Sequence, residues 1–465
     1  MKRALVLVFT LCCCLSVVSA QGQGTPAKPD MKWTGSVEQK VWGLMVVWAE
    51  AKYAFPFFDR IPNIDWDAKA QEYVPRVIAA PDIEAYYHEL MEFAALLNDG
   101  HTAVNPPWGP FKPGTDSPPL EIQVVESRFV VAHTGDTDEL RSQHVYPGLE
   151  IVEVGDGIPV GSYFRDRVLR YNSRGTEQAD DAINTYDLLT GPKDSKVSLK
   201  VRDLEGGIRT VEVTRNSADR SGNRFMYRLF RWYMVDPVLE TRVLPGGILY
   251  VKIANFDKEE LQGRFQELID NLDPTSVGGM VIDVRYNPGG SSSIAESVTA
   301  CLIDRPIASF VSKVPHYVAA DRAWGNEPVW TEIRRQIQPR EGKRYVGPIV
   351  VLVGPSTYSS AEDFLVPLQY AKRVIVVGGK TAGSTGNPLR VPLPGGGNFR
   401  VVTVRCVYPD GREFVGKGIQ PDVEVHPTQK DVYEGYDRVL ARGVEELKKL
   451  ATHGSVPDAA NLSLH

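Results

Sequence analysis

Cysteine is scarce in this chain. Only five occur in 465 residues, and Cys12, Cys13 and Cys14 fall within the first twenty. Cys301 and Cys406 remain, each in an apolar run. Two thiols cannot build a disulfide framework, nor a zinc site without histidines at suitable spacing. Two buried free thiols are therefore expected, with a single bridge in an oxidising compartment as the alternative. No metal or cofactor is called for. Lys/Arg-rich blocks are also missing, and a formal net charge of -6 speaks against nucleic acid or an anionic membrane as the main partner. Past the first twenty residues no apolar run is long enough for a membrane helix. No internal repeat is evident.

The start of the chain has its own texture. Lys2 and Arg3 precede an almost wholly apolar stretch at 4–18, and Val18, Ser19 and Ala20 put small residues where a signal peptidase cuts. A signal peptide over 1–20 is expected, with an uncleaved anchor as the alternative. The mature chain would then be exported, to a periplasm or to the medium, with no stable membrane insertion.

Apolar residues at three- and four-residue spacing predict helices between 37 and 97, which with a linker form an N-terminal helical domain at 21–115. Six prolines between 106 and 119 mark the change of texture. Short strand-like runs follow, including 120–125, 149–154 and 197–201, and predict a β-rich module at 116–216. From 217 to 430 strands alternate with helices: strands at 248–253, 279–284, 349–353 and 374–377, helices at 258–272, 294–303 and 361–371. That order predicts crossover units and a mainly parallel sheet. A helix at 435–450 lies within the closing segment, 431–465.

Three segments carry candidate chemistry. Ser359 follows the apolar run 349–353 and a turn at Gly354–Tyr358, at the expected start of a helix. Free N–H groups there favour negative charge, as acyl transfer requires when its oxyanion forms. The plainer reading is that Ser359 or Ser360 caps the helix, with Glu362 and Asp363 in its first turn. The pattern is not a Gly-x-Ser-x-Gly elbow, because Tyr358 stands where the second glycine belongs. Asp283–Gly290 ends in paired glycines, which let backbone approach a ligand and present an N–H. No Gly-Lys-Ser/Thr follows to make a phosphate loop, and an ordinary turn is the alternative. Leu97-Asn-Asp-Gly-His101-Thr102 offers a histidine suited to proton transfer near neutral pH, where a merely solvated loop histidine is the alternative.

Taken with Val376–Gly383 and Gly418–Glu424, these segments resemble, in order, the motifs of the tail-specific, or C-terminal processing, serine peptidases and their tricorn-like relatives. The resemblance implies an α/β fold: a crotonase/ClpP-like βα core, a helical N-terminal domain and an inserted PDZ-like β-rich domain. It makes Ser359, three residues before the motif glutamate Glu362, the nucleophile. Many members pair that serine with a lysine 25 positions on, but 359 + 25 = 384 is serine here. A Ser–Lys dyad is disfavoured, and the tricorn-like branch implies His101 as base with a supporting glutamate. Glu413 is the candidate, with Glu362 second to it. The Gly289 and Ser360 N–H groups would hold the oxyanion. The expected activity is a secreted serine endopeptidase acting on protein or peptide. Rival readings are a non-catalytic ligand- or peptide-binding protein on the same fold, and an acyl-CoA enzyme of the crotonase type.

Overall fold

The computed structural model describes residues 30–109, 112–216, 237–273 and 277–452. The expected leader lies outside them. Helix α1 (Val37–Ala54) opens at a capping box in which Ser36 and Gln39 satisfy each other's backbone N–H groups. Helices α2 (Trp66–Ala79) and α3 (Ile83–Ala95) start at Asp65 and Asp82, whose side chains accept from Ala68 N and Ala85 N. A short strand β1 (Ala103–Asn105) follows α3.

Next come β2 (Leu120–Val125), β3 (Arg128–Thr134), β4 (Glu150–Val154), helix α4 (Glu177–Ile183), β5 (Lys196–Arg202) and β6 (Ile208–Thr214). The five strands pair antiparallel in the order β2-β3-β4-β5-β6. Ile122, Val131, Ile151, Leu199 and Val213 give this module its own buried cluster.

The rest of the chain builds a separate, six-stranded sheet from β7 (Leu239–Leu244), β8 (Ile248–Ile253), β9 (Gly279–Asp283), β12 (Ile349–Val353), β13 (Ile375–Gly378) and β17 (Val423–Glu424), in that order. Only the β7–β8 pair is antiparallel. Every residue of β9 and β12 is buried, which explains their unbroken apolar runs: both faces are covered. Alternate residues serve the two faces. Val281, Val350 and Leu352 pack with Leu447 of the last helix, α8 (Arg438–Thr452). Ile282 and Val351 share the opposite core with Phe364 of α7 (Ser360–Tyr370), with Leu44 and Phe93 from the N-terminal helices and with Leu97 just past α3. Helices α5 (Glu260–Asn271) and α6 (Ser292–Ala300) complete the crossovers.

Two features depart from the sequence expectation. Instead of one helix from 435, a short helix Gln429–Glu434 ends where Gly435 turns left-handed (φ 66°), and the Asp437 carboxylate then accepts from Leu440 N as α8 begins. The antiparallel pair β10 (Val311–His316) and β11 (Val329–Ile333) has no counterpart in the sequence expectation, because every residue of β11 is exposed and no burial alternation marks it. Of the remaining strands, β14 (Leu389–Pro392) and β15 (Asn398–Val401) form a hairpin, and β15 also pairs with β1, matching Ala103 to Arg400. The strand β16 (Arg405–Val407) pairs with β10. Cys301 and Cys406 are buried free thiols.

At the end of β9, Arg285 ties the sheet to α8. Its guanidinium lies 2.7 Å from buried Asp283 and 2.8 Å from Asp437. Removing one partner of a buried pair strands the other charge. Arg285→Ala is therefore expected to cost about 3 kcal/mol, read as a lower urea midpoint at unchanged slope.

Candidate active site

The turn after β12 is held from several sides. Thr357 Oγ1 donates to Val284 O (2.8 Å), Tyr358 N to Asn287 O (3.0 Å), and Ser359 N to Ser384 O (2.9 Å). These bonds hold Ser359 at φ 57° and ψ -127°, a conformation that a non-glycine residue adopts only under constraint. Ser359 stands at the N-cap position of α7, yet its hydroxyl makes no cap hydrogen bond; its carbonyl accepts from Glu362 N and Asp363 N. The hydroxyl instead lies 3.0 Å from His101 Nε2. The sharp turn thus presents the side chain that a capping serine would have folded back.

His101 arrives from the end of α3. Asp99 Oδ1 accepts from His101 N and from Thr102 Oγ1, both at 2.9 Å, closing a tight turn. The β1–β15 register places Arg400 beside that turn, where it donates to His101 O and Gly100 O at 2.9 Å. The Tyr358 ring stacks on the imidazole, with centroids 4.6 Å apart and planes 6° from parallel. Burial, then the positive charge of Arg400, Arg174 and Arg390, holds the His101 pKa well below the usual histidine value. The ring is neutral near pH 7 and can accept a proton.

The second ring nitrogen, Nδ1, lies 2.7 Å from Ser384 Oγ. Ser384 is itself fixed: its backbone N donates to Glu362 Oε2 at 2.8 Å. Glu362 also accepts from Gly383 N (2.8 Å) and from the Thr381 hydroxyl. Burial pushes this carboxyl up to about 7 in spite of those donors. Glu413 is placed differently from the sequence expectation. Its carboxylate pairs with Arg405 Nε (3.1 Å), Arg60 (3.5 Å) and Lys417 (3.7 Å). Three cations hold it there, and the imidazole nitrogen it was expected to orient faces a serine.

Gly289 lies against the nucleophile turn. At φ 93°, a Cβ there would sit 2.6 Å from Ser359 Cβ and 2.7 Å from Ser360 N. Its N–H donates to Asn287 Oδ1 (2.8 Å) and is not free for an oxyanion in this conformation. The Ser360 N–H opens α7, where position alone denies it an intrahelical acceptor. Ser384 as a contact of His101 is not legible in the sequence; its one signal is that it stands 25 positions after Ser359, where many of the peptidases the chain resembles carry a lysine.

Residues 247–425 match the family model described as peptidase family S41. A carboxy-terminal-processing protease of Bartonella bacilliformis is 26% identical over 212 residues, 44% of each chain. The chloroplastic C-terminal processing peptidase of Tetradesmus obliquus is 26% identical over 261 residues, 55% of this chain and 51% of that one. The chain thus spans about half the length of these curated relatives. Among solved structures, mature CPAF superposes with a TM-score of 0.71 at 17% identity, over 90% of this chain and 99% of that one, a likeness of fold.

Gly289→Ala should force apart the two loops it joins. The expected result is a loss of about 1–3 kcal/mol, as for other overpacked sites, seen as a lower melting temperature.

Proposed function

We propose that the chain, whose residues 247–425 match the family model of peptidase family S41, is a serine endopeptidase acting on protein or peptide chains. The observation that carries this reading is the 3.0 Å approach of His101 Nε2 to a serine hydroxyl on a strained turn. Neutral His101 takes the Ser359 proton as Oγ attacks the scissile carbonyl, and the Ser360 N–H at the positive end of α7 meets the oxyanion. The imidazolium then protonates the leaving amine as the C–N bond breaks, leaving an acyl-enzyme ester. Water, deprotonated by the same ring, releases the carboxylic acid and restores Ser359. Gly289 N–H joins Ser360 only if substrate draws it from Asn287 Oδ1. Glu413 has no step in this scheme, because it is committed to its arginines.

The core sheet with its crossover helices is read as the crotonase/ClpP-like body, and the 116–216 module as PDZ-like, offering a sheet edge to an extended peptide. Export through a leader at 1–20 completes the proposal. No helix among the described residues is long and apolar enough to cross a membrane.

A fluorophosphonate probe tests the chemistry. The parent should label and Ser359→Ala should not. Absent labelling of the parent, or equal labelling of both, would overturn the peptidase reading and favour a binding protein on this fold. His101→Ala should lower the rate about 10²–10⁴-fold, the usual range for a general base. The pH profile has a defined sign. A depressed pKa keeps His101 in its base form below the ordinary histidine value, so activity at about pH 5.5 should stay close to that at neutrality, where an unshifted imidazole would be mostly protonated. An acid limb centred near the ordinary histidine value would contradict this.

A further inference from the structure

A histidine base needs its second nitrogen held by something. In the familiar arrangement a carboxylate does this, fixing the tautomer and stabilising the imidazolium. Among the described residues, no carboxylate pairs with the His101 ring. Asp99 engages its backbone N–H, and the cations that face it are Arg400, Arg174 and Arg390.

Building on the peptidase reading, we propose that Ser384 is the positioning residue for His101, a neutral hydroxyl standing where a triad acid would stand. Ser384 Oγ is 2.7 Å from Nδ1 and 3.3 Å from the Tyr358 hydroxyl, with the serine as donor to tyrosine. With its proton directed at Tyr358, the serine oxygen presents lone pairs to Nδ1. The ring proton then sits on Nδ1, and the Nε2 lone pair faces Ser359. The tautomer follows from the network: a hydroxyl alone could donate or accept, and the tyrosine selects acceptance.

The rest of the loop is built to hold that oxygen still. Glu362, fully buried, grips the backbone N–H groups of Gly383 and Ser384. The Ser384 carbonyl accepts from Ser359 N, so one residue fixes both the base and the turn that carries the nucleophile. Gly100 leaves the needed space, since a Cβ there would lie 2.8 Å from both Ser384 Oγ and Tyr358 OH. From the inserted module, Thr176 Oγ1 donates to Ala382 O (2.7 Å) and Gln178 Nε2 to Thr381 O (3.0 Å), bracing the same loop. A neutral partner orients the ring without stabilising its cation. It therefore leaves the base form dominant at low pH.

The test uses the full mature chain and three variants. Ser384→Ala should lower kcat about 10- to 100-fold with KM little changed, because a buried ring N–H loses its acceptor. Ser384→Thr keeps the hydroxyl and should recover most of that loss. Ser384→Asp puts a negative charge beside Nδ1 and should move the acid limb of the pH profile up by about one unit or more. In nitrogen-15 spectra the parent should show His101 protonated at Nδ1, and Ser384→Ala should show a mixture of tautomers. An unchanged kcat and tautomer in Ser384→Ala would overturn the proposal. So would equal losses in the alanine and threonine variants at unchanged melting temperature. If the parent itself fails to label with fluorophosphonate, the peptidase reading falls, and the tautomer measurement still decides the role of Ser384.

Discussion

A neutral imidazole buried away from water has one nitrogen that must donate and one that must accept. His101 meets both needs with serine oxygens, at 3.0 Å on Ser359 and 2.7 Å on Ser384. Much of the surrounding structure serves to keep those oxygens where they are. Arg400 pins the carbonyls on the histidine's own turn, Tyr358 covers its face, and the Ser359 N–H reaches the Ser384 carbonyl. Moving any one member moves the others, since each loop is hydrogen-bonded to the next.

The charges near the site follow from this. Burial first, and then three arginines, favour the neutral form of His101, while the acids nearest the network are used as hydrogen-bond acceptors for backbone. Glu362 is so thoroughly buried that its carboxyl titrates only near neutrality, at about 7. Its value lies in holding the 381–384 loop. Thr176 and Gln178, at the start of α4, bond to the same loop, so this helix is structurally part of the site's frame.

The legible parts were those with a local physical signature. Ile349–Val353 reads as a doubly buried strand because all five residues are apolar, and all five are buried. The glycines at 289 and 290 read as a place where backbone comes close to a ligand, and the close approach of Gly289 is instead to the Ser359 turn. Glu413 shows the limit of such reasoning. Its place near a motif points to a role beside His101, but Arg60, from the N-terminal region, and Arg405 take its charge. No spacing rule announces a partner more than 300 positions away. The β11 strand was missed for a different reason: it lies at a sheet edge with every residue exposed, so burial wrote no period into it.

What the sequence determined by itself was the set of parts: a serine after a buried strand, a histidine after a helix, a glycine pair between strand and helix, and no lysine at 384. Those features depend on chain neighbours, and neighbours are what a sequence records. Which acid or hydroxyl would face Nδ1 was decided only when β1 met β15 and the 381–384 loop closed over Glu362. A hydrogen bond is a matter of a few tenths of an ångström between groups brought together by packing, and residues 101 and 384 acquire theirs only in the folded chain.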